Sequence, residues 1–333
     1  MNGRQESNIA IENKTMTTIR DYPVIQDYYY SLSNSTARSK YAYCRYVRDY
    51  FSYLKESGVD VDDYNSYGLI SMSDINKYLA SQRMRYYTKK NGTQAEMSGA
   101  IRRVRFMAVK SFFEFLVNSE IIEKNPCDKV KAPKDTKQRT VVYMTEKEMD
   151  NTRFEIRNNI ADRHDSELMA TRNLLIFNLG CRTGLRESAI AEINVEDIDF
   201  VEKKITVTEK GNVTRDIWVG NDTISLINEW LGIRAKILGD SAKDCHALFI
   251  SNRKKRISNI SIYSIITEAT KKLDKHITPH KMRSTCAVMI YEKTGDVYAA
   301  GDVLGHKNIQ NTKKYTTVSQ KKKASLANML DAL

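Results

Sequence analysis

Apolar residues recur at the spacing of a helix face through most of the first 127 positions of the chain. Residues 35–58, STARSKYAYCRYVRDYFSYLKESG, show this pattern, with Ser35 or Thr36 placed to cap the helix start and Gly58 placed to end it. The apolar face of this helix consists of Tyr43, Val47, Tyr50 and Leu54. Strand patterns are scarce in this stretch, so the sequence predicts a helical domain over residues 21–127.

The last helix of that domain is predicted in residues 98–118, SGAIRRVRFMAVKSFFEFLVN. Its apolar stripe consists of Ile101, Val104, Ala108, Phe112 and Phe115. The opposite face carries Arg102, Arg103 and Lys110, and residues 83–110 hold eight Lys or Arg against one acid, Glu96. We expect this positive face to contact phosphates, and a merely solvated helix face is the alternative.

Polar and basic segments flank the helical domain. Residues 1–20 are polar and lack apolar periodicity, which is typical of a disordered tail. Residues 128–143 include Pro133 and a run of basic residues, which indicates an extended, positive linker in which Lys131 and Lys134 are candidate DNA contacts. TEKE at 145–148 is a capping box, so a second domain is predicted over residues 144–333.

The second half of the chain mixes helices with one hairpin. Helices are predicted from about residue 167 to 180, from Gly184 onward, and over about 221–238, 259–274, 279–294 and 296–304. Two alternating runs in KKITVTEKGNVTRDIWV flank a turn at Lys210, Gly211 and Asn212, which predicts a hairpin. An apolar stripe in SLANMLDAL predicts a short C-terminal helix over residues 325–333. The expected fold class is mainly α with a small antiparallel sheet.

Charge indicates what such a protein binds. The chain has 53 Lys and Arg against 41 Asp and Glu, a formal net charge of +12, which attracts polyanions and nucleic acid first. A run of eighteen apolar residues and a signal-peptide pattern are both missing from the sequence, so we expect a cytoplasmic protein without membrane contact. The five cysteines are far apart and form no C-x-x-C pair, which indicates neither a zinc site nor a disulfide framework.

Tyr315 is the candidate nucleophile, nine residues after His306 in LGHKNIQNTKKYT. A phenol whose pKa lies near ~10 is a weak nucleophile at neutral pH, so it needs cations around it. Short upstream segments supply candidates: Arg186 in TGLRESAIAEI, Lys210 in EKGN, and His280 and Arg283 in TPHKMRSTCAVM. Two arginines on one phosphate would neutralise its oxygens and favour the phenolate, which would make the tyrosine reactive.

These boxes resemble those of the tyrosine recombinases, or phage integrase family, which includes the lambda-type integrases, Cre and the Xer proteins. TGLRESAIAEI is similar to the family's first-arginine box, EKGNVTRDIWV to its lysine hairpin, TPHKMRS to its H-x-x-R box, and LGHKNIQNTKKYT to its L-G-H to tyrosine box. The four occur in the family's order, and residues 98–116 resemble the last helix of its core-binding domain. The resemblance implies a two-domain DNA clamp, with an all-helical, SAM-like core-binding domain and an α-rich catalytic domain.

The resemblance also implies a reaction. Tyr315 would attack a scissile phosphate, leaving a 3′-phosphotyrosyl link and a free 5′-hydroxyl. Arg186 and Arg283 would hold the phosphate, Lys210 would protonate the departing oxygen, and His280 and His306 would assist in proton handling. Because the covalent ester conserves the bond energy, neither a nucleotide cofactor nor a metal is required.

The partners implied by the resemblance are double-stranded DNA with inverted-repeat core sites and further copies of the chain. Two to four copies would assemble on DNA and exchange their C-terminal helices with one another. The assembly would then exchange DNA strands, with accessory DNA-bending factors in some systems. The implied host is a bacterium, a phage or another mobile element, with the protein associated with the nucleoid.

The chain departs from the family pattern at Ala189, where an acidic residue usually stands three positions after the first arginine. Glu187 and Glu192 are close in sequence, but neither follows the family spacing. Two alternatives stay open: a catalytically silent DNA-binding relative, and a type IB topoisomerase that relaxes DNA without strand exchange.

Overall fold

A computed structural model describes residues 3–84, 86–88, 92–135, 140–158, 166–209, 213–242, 245–305 and 308–315. The chain divides into two compact units, Met1–Gln138 and Arg139–Leu333. Within the described part of the chain, every helix is too short or too polar to cross a lipid bilayer. The C-terminal segment 325–333, for which a helix is predicted, lies outside the described residues.

The first unit is a helical bundle with one small hairpin. Its elements are α1 (Gly3–Ile19), α2 (Pro23–Ser31), α3 (Ala37–Glu56), α4 (Tyr64–Gly68), α5 (Met72–Met84), β1 (Tyr86–Thr88), β2 (Gln94–Glu96) and α6 (Gly99–Asn118). Thr36 caps α3 by accepting a hydrogen bond from the Ser39 amide, as the sequence predicts. The core is aromatic, with Phe112 meeting Tyr28 and Phe51 edge to face. The β1–β2 pair is an addition to the expected all-helical domain.

Helix α1 replaces the disordered tail expected for residues 1–20. It packs along α3 through a sparse ridge in which Ile11 is half-buried and Thr15 and Ile19 are fully buried. The Lys14 ammonium lies 5.0 Å from the centre of the Tyr41 ring. Because one member of the ridge is a threonine and most of the remaining positions of α1 are polar, the sequence carries little helical periodicity here.

The buried face of α6 differs from the predicted stripe. Ile101 and Val104 are exposed, whereas Arg105 points inward and donates to Asp49 (2.9 Å) and Gln82 (3.2 Å) on α3 and α5. The apolar part of the buried face consists of Phe106, Ala108, Val109, Phe112, Phe113 and Leu116. The first two turns of α6 therefore meet their neighbours through a polar network, and an apolar stripe cannot identify such a face.

The second unit is mainly helical and contains a three-stranded antiparallel sheet of order β3-β4-β5. Its helices are α7 (Glu146–Asn158), α8 (Ser166–Thr183), α9 (Glu187–Glu192), α10 (Asn221–Leu238), α11 (Asn259–Ala269), α12 (Pro279–Thr294), α13 (Val297–Leu304) and α14 (Gln310–Lys313). Its strands are β3 (Ile198–Asp199), β4 (Lys204–Glu209) and β5 (Val213–Trp218), with 3-10 helices at Val195–Asp197 and Gly239–Ala242. The predicted hairpin is therefore confirmed, and α11 ends earlier than the predicted residue 274.

Helix α7 begins with the predicted capping box. The Thr145 amide donates to the Glu148 carboxylate (2.7 Å), and the Glu148 amide donates back to the Thr145 hydroxyl (3.3 Å). The core of this unit is formed largely by α8 and α10, which pack together and enclose Phe177, Ile227 and Trp230. The Trp230 indole donates to the Leu248 carbonyl (2.8 Å), so its one polar atom is satisfied.

All five cysteines are free thiols. Four of them are buried, and Cys245 is half-buried. Burial raises the pKa of Cys44, Cys127 and Cys286 to about 12 and raises that of Cys181 further. These positions are those of small residues packed in the two cores.

Candidate active site

Arg283 lies at the centre of the candidate site. It follows the start of α12 by about one turn, and only 2% of its surface is exposed. Its Nη1 donates to the carbonyl of Gly184 (2.6 Å), and its Nη2 donates to the carbonyl of Leu304. Gly184 precedes Arg186, the N-cap residue of α9, and Leu304 ends α13. The guanidinium of Arg283 therefore connects two segments: the turn before Arg186 and the C-terminal end of α13.

The two turns joined by Arg283 both require glycine. Gly184 and Gly305 have φ values of +63° and +62°, in the left-handed region that side chains disfavour. A Cβ on Gly184 would also lie 2.4 Å from Leu304 Cδ2. The close approach of the first turn to Leu304 therefore depends on Gly184, and the backbone conformation after α13 depends on Gly305.

His280 stands one helical turn before Arg283 on α12. Its pKa is lowered from the ordinary 6.5, first by desolvation and then by the positive charges of Lys314, Lys281 and Arg283, while Glu187 acts in the opposite direction. The imidazole is therefore neutral at neutral pH. Lys314, which precedes Tyr315, and Glu187, which follows Arg186, are therefore both close enough to His280 to influence its pKa.

Tyr315 follows α14, and its amide donates to the Thr312 carbonyl (2.9 Å). The residue is 1% exposed and belongs to a buried cluster with Cys286, Val288 and Leu304 of α12 and α13. The Lys314 ammonium lies 4.9 Å from the centre of its ring. The tyrosine is therefore enclosed within its own domain in this structure.

The structure thus brings together the segments that carry four of the six predicted catalytic residues, Arg186, His280, Arg283 and Tyr315. The other two, Lys210 and His306, lie outside the described residues. Ala189, where the resemblance implies an acidic residue, is buried (4% exposed) and faces the interior of the domain. In the described part of the chain, no three His, Cys, Asp or Glu side chains come together as a metal site.

The predicted DNA contacts in the first unit differ in exposure. Arg103, Lys131 and Lys134 are exposed, whereas Arg102 is half-buried with its Nε enclosed. Lys110 forms an ion pair with Asp128 (3.0 Å).

The linker and the start of α6 lie side by side within the first unit. A Cβ on Gly99 would lie 2.3 Å from the carbonyl oxygen of Lys134, so this contact requires glycine. The contact brings the linker alongside the first turn of α6. The exposed cations Lys134, in the linker, and Arg103, on α6, are therefore on adjacent segments.

Three residues near the site are missing from the sequence-based candidates: Glu187, Lys314 and Arg215. Glu187 and Lys314 influence His280, and each is adjacent in sequence to a candidate. Arg215 donates from Nη1 to the Val303 carbonyl (2.9 Å) at the end of α13. The sequence could have indicated Arg215, because side chains alternate between the two faces of a strand and Arg215 shares its face of β5 with the buried Ile217.

Known proteins match this chain over most of its length. The sequence profile of the phage integrase family matches residues 150–322, which contain all six candidate catalytic residues. The tyrosine recombinase XerC of Alcanivorax borkumensis is 30% identical over 225 residues, 67% of this chain and 70% of that protein. The chain belongs to the phage integrase family. The resemblance inferred from the four sequence boxes is therefore confirmed, and this family member is a tyrosine recombinase, an enzyme of site-specific DNA recombination.

Other members of the phage integrase family cover both units. XerC of Caldanaerobacter subterraneus subsp. tengcongensis is 27% identical over 315 residues, 91% of this chain and 85% of that protein. Among solved structures, XerH recombinase in a post-cleavage complex with palindromic difH matches with a TM-score of 0.63 at 17% identity, covering 89% of this chain and 80% of that one. The Tn1549 transposon integrase with transposon right end DNA matches with a TM-score of 0.64 at 16% identity, covering 91% and 98%. These structural likenesses support the fold class, mainly α in two domains.

Proposed function

We propose that Tyr315 is the nucleophile of this recombinase and that Arg186 and Arg283 bind the scissile phosphate. The observation that carries the proposal is the junction made by Arg283, which holds the turn before Arg186 against the end of α13, beside the cluster that contains Tyr315. In the cleavage step, Tyr315 Oη bonds to phosphorus and the bond from phosphorus to O5′ breaks. Positive charge around the phosphate stabilises the charge that builds up on its oxygens.

The protons of this step pass through the remaining candidates. His280 is suited to accept the phenol proton, because its lowered pKa leaves a neutral imidazole at neutral pH. Lys210, which lies between β4 and β5 in the sequence, would give a proton to O5′, and His306 would assist at the phosphate. The reverse reaction, with the 5′-hydroxyl of a partner strand as nucleophile, rejoins the DNA and regenerates the tyrosine.

The enclosed position of Tyr315 adds a requirement to this mechanism. Side chains that are 1% and 2% exposed cannot reach a DNA phosphate, so Tyr315 must leave the cluster with Cys286 and Leu304, and Arg283 must become accessible, before attack. DNA binding and assembly are the events that can supply the free energy for this movement. The chain alone would then be inactive toward free phosphodiesters.

A covalent trap tests the proposed function. The substrate is a nicked half-site built from inverted repeats in the DNA that flanks the gene, so that the 5′-hydroxyl fragment is lost after cleavage. We expect a protein–DNA adduct on a denaturing gel. Its absence, with DNA binding retained, would favour a catalytically silent relative, and relaxation of any supercoiled plasmid regardless of sequence would favour a topoisomerase.

The substrate proposed is double-stranded DNA with inverted-repeat core sites, enclosed by the two units as a clamp and bound by two to four copies of the chain. The net charge of +12 and the exposed cations of the first unit support DNA as the partner. The solved relatives support it as well, since XerH is bound to palindromic difH and the Tn1549 integrase to transposon DNA. We further propose action at the nucleoid in the cytoplasm of a bacterium, because the matched XerC proteins are bacterial.

The exposed cations at the start of α6 and in the linker are expected to contact the DNA backbone. Replacing Arg103 and Lys134 with alanine should weaken binding and lower the slope of log K against log salt by about two, since each lost phosphate contact reduces it by about one. Titrations of half-site DNA at several salt concentrations measure this slope. Lys77→Ala on α5, which also removes an exposed cation of this unit, is the control. An unchanged slope in the double variant would show that this face is only solvated.

The C-terminal segment 325–333 is proposed to dock on a neighbouring subunit. Leu326, Met329, Leu330 and Leu333 would form an apolar stripe on a helix too short to be stable alone. Deleting residues 325–333 should leave a folded protein that binds single half-sites but loses cooperative pairing on full sites, as measured by gel shift. Unfolding of the truncated chain, or normal recombination by it, would contradict docking between subunits.

A further inference from the structure

Arg215 occupies a position where a strand residue is normally apolar. It lies on β5 opposite Val207 of β4, and the neighbouring pair on the same face of the sheet is Ile205 and Ile217. Those three partners are buried, so the side chain of Arg215 starts from the inner face of the sheet. Arg215 is itself half-buried, so the part of its charged group that is removed from water is stabilised by partners within the domain.

One partner of Arg215 is the C-terminal end of α13. Its Nη1 donates to the Val303 carbonyl (2.9 Å). Its guanidinium also lies against Gly305, because a Cβ there would be 3.1 Å from Nε and 3.2 Å from Cζ. Cations at helix C-termini are stabilised by the exposed carbonyls and by the helix dipole. The hairpin is therefore fastened to α13 by a charge-assisted bond.

The same helix end is held by Arg283. Arg215 binds the carbonyl of Val303 and Arg283 binds that of Leu304, so adjacent carbonyls receive guanidinium groups from β5 and from α12. Both arginines are also close enough to the Cys286 thiol of α12 to oppose the rise in its pKa that burial causes. Two neighbouring carbonyls at the end of α13 thus connect this helix to strand β5 and to Arg283.

We infer that Arg215 is a positioning residue that fixes the β4–β5 hairpin relative to the phosphate-binding arginine Arg283. Lys210, the general acid under the proposed function, follows β4 and precedes β5 in the sequence and lies outside the described residues; the inference rests on its role. A general acid works only within hydrogen-bond reach of the leaving oxygen, and a displacement of about 1 Å can cost on the order of a hundredfold in rate. Arg215 thus acts on cleavage through Lys210 and not by touching the substrate.

A leaving-group experiment tests this role. Two suicide substrates are compared in single-turnover cleavage, one with the normal bridging 5′-oxygen and one with 5′-sulfur, which departs without a proton. We expect Arg215→Ala to slow cleavage of the oxygen substrate by about 10- to 100-fold and to cleave the sulfur substrate within about threefold of the parent rate. Arg215→Lys should recover part of the loss, because an ammonium can reach one carbonyl but lacks the planar fork.

Matched variants separate the possible outcomes. Thr206→Val removes a hydrogen bond to Asp216 (2.8 Å) within the same hairpin without touching α13, and its rates should equal the parent's on both substrates. Arg215→Met, which retains the aliphatic stem, replaces Arg215→Ala if thermal denaturation shows that the alanine variant is unfolded. Equal losses on the oxygen and sulfur substrates, or no loss on either, would overturn the positioning role.

The same two substrates also test the proposed function separately from the role of Arg215. Lys210→Ala should lose on the order of 10²- to 10⁴-fold on the oxygen substrate and be rescued by sulfur. If Lys210→Ala is not rescued, the general-acid assignment fails, and the inference about Arg215 fails with it. If the parent protein forms no adduct with either substrate, the proposed function itself is wrong.

Discussion

Replacing Tyr315 with phenylalanine is expected to abolish covalent complex formation while leaving half-site affinity within about twofold of the parent's, since only the attacking oxygen is lost. The ring itself remains, so the buried cluster with Cys286, Val288 and Leu304 should stay packed. The measurements are adduct formation on the nicked substrate and a binding titration with the same DNA. The effect should be all or none, because no other group replaces the bond to phosphorus.

Tyr143 provides the matched control for this substitution. It is a half-buried tyrosine that packs against the same cluster, and burial raises the pKa of its hydroxyl. Tyr143→Phe should form the adduct at the parent rate, because it removes a hydroxyl beside the cluster that has no part in the reaction. Adduct formation by Tyr315→Phe would refute the assignment of the nucleophile.

Arg283→Lys is expected to reduce cleavage by at least about 10²-fold, a loss typical of removing one group that stabilises transition-state charge. A lysine keeps the charge but cannot bind two carbonyls and a phosphate oxygen at once. Arg283→Ala should in addition leave the Gly184 and Leu304 carbonyls unsatisfied, at on the order of 1–3 kcal/mol each. Single-turnover cleavage and thermal denaturation measure the two effects.

Arg234 separates catalysis from stability in this comparison. It is also buried and also donates to two backbone carbonyls, those of Ala247 and Cys245, but it lies on α10 and holds none of the candidate turns. Arg234→Lys should lower the melting temperature by an amount similar to Arg283→Lys while cleavage stays near the parent rate. Similar losses of cleavage in both lysine variants would mean that Arg283 is only a structural brace.

The parts of the fold that the sequence predicts well are those specified by local patterns. The cap at Thr36, the capping box at Thr145 and Glu148, and the β4–β5 hairpin depend on residues a few positions apart, and all are present in the structure. The order of the catalytic boxes likewise needs only spacing along the chain. Local spacing therefore suffices for the elements and for the identity of most site candidates.

Features decided by contacts between distant segments were missed. Arg105 turns the start of α6 inward because it finds Asp49 and Gln82 on two other helices, and α1 forms because α3 offers a surface for Ile19. The role of Arg215 depends on Val303, which is far along the chain. The enclosure of Tyr315 depends on α12 and α13 together. In each case the contacting residue lies on a segment far away in the sequence, so the neighbouring residues do not reveal the contact.

The state of the cysteines has a practical consequence for following assembly in solution. Four thiols are enclosed, and their raised pKa values leave almost no thiolate at neutral pH, so alkylating dyes should react with them slowly. Cys245, the half-buried exception, can be replaced by serine. A single reporter cysteine at the exposed Lys77 could then be labelled selectively, and energy transfer between differently labelled copies would report pairing on DNA in real time.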